Sequence, residues 1–155
     1  MNSSYATKLT PLPFKLARIN VGNAMNLSTG KFTAPRSGNY FFSFTGLAEF
    51  PLSSSHLILS VNLNLNKVSV GYAWVSEQHT YTGQSSPLTL QSILKLKSGD
   101  QVWLEINTIW TGVKLYASYY THFTGFLLEE EMDIWIFCRI KYHQKYVKGH
   151  SIWVN

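Results

Sequence analysis

The sequence predicts an all-β domain, a sandwich or a barrel of short strands. Three observations lead there. Apolar and polar residues alternate with a period of two over several stretches. Aromatic and β-prone residues are abundant while charged residues are scarce. Turn signals recur at short intervals along the chain. In numbers, 45% of the 155 residues are hydrophobic, 15% aromatic and only 14% charged. Tyr, Phe and Thr fit a pleated, half-buried surface better than a helix. The aromatic content also argues against disorder. This length suits one domain with a sizeable core.

The clearest strand lies in His56 to Asn66, where Leu57, Leu59, Val61, Leu63 and Leu65 share one face. Ser60, Asn62 and Asn64 share the other, as the pleat requires. A second alternation sets Leu88, Leu90, Leu94 and Leu96 against Thr89, Gln91 and Lys95. A third sets Val102, Leu104 and Ile106 against Glu105 and Asn107. Lys97-Ser98-Gly99-Asp100 stands between these two and predicts a hairpin joining them. Tyr40 to Thr45 is aromatic on both faces, as in a strand covered from two sides. Gly112 to Tyr116 and Thr121 to Leu128 complete the set. Turn signals fall at Gly30, at Arg36 to Gly38, at Ser53 to Ser55, at Gly83 to Pro87 and at Gly99. No stretch before residue 129 has helical periodicity, and none reaches the length of a membrane-spanning helix.

The net charge of +5 is unevenly placed. Arg139, Lys141, Lys145 and Lys148 stand against Asp133 near the C-terminus, and the rest of the chain is nearly neutral. Scattered single cations do not make a nucleic-acid surface. Cys138 stands alone, so it forms no internal disulfide and no metal cluster. His56, His79, His122, His143 and His150 lack metal-ligand spacing. No Gly-x-Ser-x-Gly elbow occurs, and the acids of the body are few: Glu49, Glu77, Asp100 and Glu105. No catalysis, metal or cofactor is therefore expected.

Gly30-Lys31-Phe32-Thr33-Ala34-Pro35-Arg36-Ser37-Gly38-Asn39-Tyr40-Phe41-Phe42-Ser43-Phe44 resembles the central motif of the complement C1q globular-head family. The matching positions are Gly30, Phe32, Pro35, Gly38, Tyr40, Phe42 and Phe44. Ile19 to Asn23 is similar to the stretch that precedes that motif. Leu94 to Leu104, with Gly99 and Asp100, is similar to the family's Leu-x-x-Gly-Asp-x-Val hairpin. Phe123, Gly125 and Phe126 resemble its closing strand. The flavour is the single-domain invertebrate type without a collagen stalk. The resemblance implies a jelly roll of two five-stranded sheets, a homotrimer and extracellular binding without catalysis. Some members of the family hold calcium near the trimer axis, but sparse loop acids here predict none. A tumour necrosis factor-like cytokine that binds a cell-surface receptor shares the architecture and remains the alternative. The ligand itself is read as a carbohydrate or a protein on a cell or microbial surface.

Three segments follow: a loose lead-in over 1–11, the jelly roll over 12–130 and an atypical tail over 131–155. The lead-in is broken by Pro11 and Pro13 and makes the first strand look incomplete. No signal peptide is visible at Met1 to Tyr5, so an extracellular location rests on the resemblance. The tail carries the apolar run Ile134 to Ile140. It reads either as a strand that fills the vacant edge or as translated sequence foreign to the domain.

Gly30 and Gly38 are expected where the backbone needs positive φ or close approach. Tyr40, Phe42 and Phe44 are expected to share the core face. Phe41 points the other way and needs cover, which a neighbouring subunit of a trimer could supply. Tyr72, Trp74, His79, Tyr81, Trp110, Tyr116, Tyr119 and Tyr120 are expected in or near loops, as the candidate ligand-binding set. Asn26, in Asn26-Leu27-Ser28, is the candidate glycosylation site, in a loop or at an edge.

Overall fold

The computed structural model describes residues 4–5, 8–117 and 119–130. The tail over 131–155, with Cys138, His143 and His150, lies outside the described residues, so both readings of it do too. The described residues form ten strands: β1 Ser4–Tyr5, β2 Met25–Asn26, β3 Lys31–Thr33, β4 Gly38–Phe50, β5 Leu57–Leu65, β6 Val68–Glu77, β7 Gln84–Leu96, β8 Gln101–Ile109, β9 Lys114–Tyr116 and β10 His122–Glu130. A 3-10 turn, Val21–Asn23, lies between β1 and β2.

The strands form two five-stranded sheets packed as a sandwich. In the first sheet β7 pairs along the whole of β4. On the other side of β4, β10 takes the first half and β9 the second, and β1 adds to β9. The second sheet runs β2-β3-β8-β5-β6. All the strand pairs within the two sheets are antiparallel.

The core lies between the sheets and follows the alternation read from the sequence. Leu59, Val61 and Leu63 of β5 and Val102, Leu104 and Ile106 of β8 are fully buried. They face Tyr40, Phe42, Phe44 and Phe50 of β4 and Leu88 and Leu96 of β7. Phe32 packs edge-on against Tyr40 and Phe42, and Phe123 stacks on Phe42 at 5.8 Å. The Tyr40 hydroxyl donates to Arg36 O at 2.8 Å, so the one polar tip in this cluster is satisfied.

Two glycines show why the motif needs them. At Gly30 φ is +68°, and a Cβ would stand 1.9 Å from Leu12 O. At Gly38 a Cβ would stand 2.3 Å from Glu129 O, where β10 closes on β4. Both positions admit only hydrogen there.

Four expectations are corrected. Lys97 to Asp100 is not a hairpin turn. β7 pairs with β4 in one sheet and β8 with β3 and β5 in the other, so the turn carries the chain across the sandwich. A tight turn between two alternating strands has the same local chemistry in either case, and the partners of each strand decide. Phe126, grouped with the core motif, is 51% exposed on the outer face of the first sheet. The turn read at Gly83 to Pro87 ends at Gly83, and Pro87 lies inside β7 opposite Leu47. β7 is an edge strand, where the missing Pro87 N–H costs no ladder bond.

The fourth correction concerns the described end of the lead-in, where Lys8 and Pro11 bridge to β8. Leu9 N–H donates to Ile106 O and Leu12 N–H to Leu104 O, both at 2.8 Å. These residues take up the edge of β8 beyond the reach of β3. Two prolines hide this in the sequence, because they break the alternation that marks a strand.

Candidate ligand-binding site

The predicted aromatic residues fall into three places. Tyr72 and Trp74 are not in a loop. They lie within β6, two residues apart, and both project from the outer face of the second sheet, 61% and 58% exposed. Their register partners on β5 are Asn62 and Ser60. β8 continues the same rows with Glu105 and Thr108. One row further along, Ser69, Asn64 and Trp103 stand side by side.

This face is polar beneath its aromatic residues. Ser60, Asn62 and Asn64 occupy the central strand and are only 1%, 5% and 2% exposed. Asn62 Nδ2 donates to Ser69 Oγ at 3.0 Å, and Ser69 Oγ donates to Asn64 Oδ1 at 2.9 Å. The Thr108 N–H donates to Ser60 Oγ at 3.1 Å. Two atoms are left over, Asn62 Oδ1 and Asn64 Nδ2, which are buried and find no hydrogen-bond partner among the described residues. Trp103 Nε1 donates to Glu105 Oε2 at 3.1 Å, and Lys31 Nζ sits 4.5 Å from the Trp103 ring centroid.

Sequence reasoning did not single out Lys31, Asn62, Asn64, Ser69, Trp103 or Glu105 as functional. The available signal was two asparagines in the middle of a strongly alternating strand, where asparagine is disfavoured. They read as solvent-facing because the alternation shows the side of the sheet and not the depth of cover.

His79, Tyr81 and Trp110 lie in loops at one end of the sandwich. The chain around Pro51 links these loops: the Thr80 hydroxyl donates to Pro51 O, and Gly112 abuts the Pro51 ring. Trp110 is 45% exposed and its backbone N–H donates to Ile58 O at 3.1 Å. Tyr81 is 75% exposed, and His79 has a φ of +55°.

Tyr116 ends β9 and its ring lies 5.8 Å from that of Tyr120. The Glu49 carboxylate accepts from the Tyr116 hydroxyl, which holds the phenol protonated above its usual range. Tyr119, 77% exposed, offers its carbonyl to His122 Nε2 at 2.6 Å. Tyr116 and Tyr120 thus pair with each other near the second half of β4, apart from the β6 face that carries Tyr72 and Trp74.

The outer face of the first sheet carries an apolar patch. Phe41 stands between Ile93 of β7 and Phe126 of β10, and the Phe41 and Phe126 rings lie 5.2 Å apart. Ile93, Phe126 and Leu128 remain 65%, 51% and 50% exposed. Among the described residues, no three His, Cys, Asp or Glu side chains converge into a metal site, and no helix is long and apolar enough to cross a membrane.

Comparison with known proteins places this geometry. The family model for the C1q domain matches residues 1–128. The chain belongs to the C1q domain family. Complement C1q tumor necrosis factor-related protein 2 of Homo sapiens is 30% identical over 135 residues, covering 86% of this chain and 44% of that protein. Complement C1q tumor necrosis factor-related protein 3 of Homo sapiens is 31% identical over 121 residues, 76% of this chain and 44% of that protein. This C1q chain thus spans under half the length of these relatives. The globular domain of zebrafish complement 1qA protein superposes with a TM-score of 0.59 at 21% identity, over 84% of this chain and 93% of that domain. That likeness concerns the fold. The two sheets of this C1q domain meet at a core that Tyr40, Phe42 and Phe44 enter and against which Phe32 packs.

Proposed function

We propose that this C1q domain is a non-catalytic extracellular recognition module that acts as a homotrimer and binds carbohydrate or protein on cell or microbial surfaces. The observation that carries the reading is the presence of two outward-facing surfaces the core does not use. One is the apolar patch of Phe41, Ile93, Phe126 and Leu128, whose burial between subunits supports assembly. The other is the exposed pair Tyr72 and Trp74, fixed on a paired strand rather than on a loop. A pair carried side by side on a paired strand presents its rings from a fixed backbone, which suits recognition. A glycan array run beside a receptor-capture screen tests the ligand class. Trp74→Ala and Trp110→Ala are expected to lower affinity for the captured ligand without unfolding the trimer. Unchanged binding in both variants would remove these residues from the site.

A cytokine-like role is the second reading. It is favoured by relatives whose names join complement C1q to tumor necrosis factor. Capture of a single receptor with no glycan signal would select it.

Asn26 is proposed to carry an N-linked glycan. It lies exposed on the edge strand β2. Its Oδ1 accepts from Ser28 Oγ at 2.7 Å and from the Ser28 and Thr29 N–H groups, while Nδ2 makes no hydrogen bond among the described residues.

A further inference from the structure

We infer that the outer face of β5, β6 and β8 binds a neutral pyranose, with its ring stacked on Trp74 and Tyr72 and one hydroxyl seated between Asn62 and Asn64. This deepens the reading of the chain as a recognition module and rests on it.

The argument begins with the two orphan atoms. Asn62 Oδ1 can only accept and Asn64 Nδ2 can only donate. Both belong to side chains more than nine-tenths buried, and neither has a partner among the described residues. Buried polar atoms are almost always paired, because an unpaired one forfeits its hydration without return. Both belong to one face of one strand, two residues apart. Ser69 Oγ ties their other amide atoms together, which fixes both amides in orientation. What is missing is a group that donates to one atom and accepts from the other. A hydroxyl does both through a single oxygen.

The surroundings narrow the ligand class. Tyr72 stands opposite Asn62 and Trp74 opposite Ser60, so an apolar platform borders the polar gap. A pyranose pairs an apolar C–H face with hydroxyls at its rim, and this arrangement presents the complementary surface. Lys31 and Glu105, the charged groups at Trp103, are of opposite sign, and both are engaged by its indole. A neutral ligand suits such a surface. Tyr72 is 61% exposed on an edge strand, so its ring can turn aside to admit the hydroxyl to atoms that lie beneath the side-chain layer.

The test is an NMR titration of the full chain with four probes: the methyl pyranosides of glucose, galactose and mannose, and N-acetylglucosamine. At least one probe is expected to shift the Trp74 indole signal and the side-chain amide signals of Asn62 and Asn64. Trp74→Ala is expected to weaken that response about tenfold or more. Asn64→Leu is the more discriminating variant. It removes a buried unpaired donor and, with it, the acceptor of the Ser69 hydroxyl, so its melting temperature is expected to stay near the wild-type value while sugar affinity falls about tenfold. Ile19→Ala, at a fully open loop position, should leave binding unchanged.

Three results overturn the inference. In the first, Asn64→Leu retains full affinity. In the second, the shifts fall on Trp110 and Tyr81 instead of Trp74. In the third, a trimer that binds a protein ligand responds to none of the sugars. All three leave the recognition module standing. A monomer that binds neither sugar nor protein sinks that reading as well.

Discussion

At the scale of single residues, the turn between the sheets shows how much a carboxylate can organise. Asp100 Oδ2 accepts the Lys97 N–H and Oδ1 accepts Asn66 Nδ2, both at 2.8 Å. Asn66 in turn accepts the Gln101 N–H at 2.9 Å. The Lys97 backbone bond, followed by the Asn66 amide, holds the Asp100 carboxyl below its ordinary pKa. A depressed folded-state pKa stabilises the fold at every pH above the unfolded value of about 3.9. That contribution disappears as the pH falls through the lower folded value. Asp100→Asn is therefore expected to lower the melting temperature at neutral pH. It should also flatten its decline toward strongly acid pH, as thermal melts across that range would show. The second residue-scale expectation concerns Asn26. Mass spectrometry of protein secreted from animal cells should find a glycan there and lose it in Ser28→Ala; a bare Asn26 would reject the assignment.

At the scale of elements, the long alternating strands were legible and the connections were not. β5 and β8 announced their core faces through Leu59, Val61, Leu63 and Val102, Leu104, Ile106, all of which are fully buried. β6 did not, because Gly71 and the exposed Val70, Tyr72 and Trp74 blur its pattern. The aromatic pair therefore looked like loop furniture. Which strand lies beside which depends on contacts far apart in sequence, so the sheet-crossing turn at Lys97 to Asp100 was read as a hairpin. The two-residue connection between β5 and β6 is a real hairpin. Asn66 and Lys67 both have positive φ, +49° and +74°. Asparagine accepts that conformation and lysine does so under strain. Lys67→Gly is expected to stabilise the domain by about 1 kcal/mol, measured by denaturant melts. A loss of stability would mean that the lysine side chain contributes more than its backbone costs.

At the scale of the whole molecule, the outer face of the first sheet is where we propose that the subunits meet. Phe41, Ile93 and Phe126 form one row across three strands, and their side chains gain nothing from the sandwich core. Burying a large apolar side chain contributes roughly 1.5–3 kcal/mol. In the proposed trimer each subunit would repeat that gain. The double variant Ile93→Lys, Phe126→Lys is expected to sediment as a folded monomer with the wild-type far-ultraviolet spectrum. A variant that remains trimeric would move the interface elsewhere. The sequence contained the hint, since Phe41 breaks the core alternation of its strand. It could not show that Ile93 and Phe126 flank it, because both are placed there by register.

That same register has a consequence for how the chain acquires its structure. β10 pairs with the first half of β4, from His122 opposite Thr45 to Glu130 opposite Gly38. The first sheet therefore cannot close until nearly all of the described chain has left the ribosome. Until then β4 waits with one edge open and Phe41 uncovered. Folding dominated by such distant pairings is slow, on the order of milliseconds to seconds. During that interval the newborn domain exposes the surfaces most prone to join a neighbour. Synthesis of several copies on one message would place those neighbours within reach.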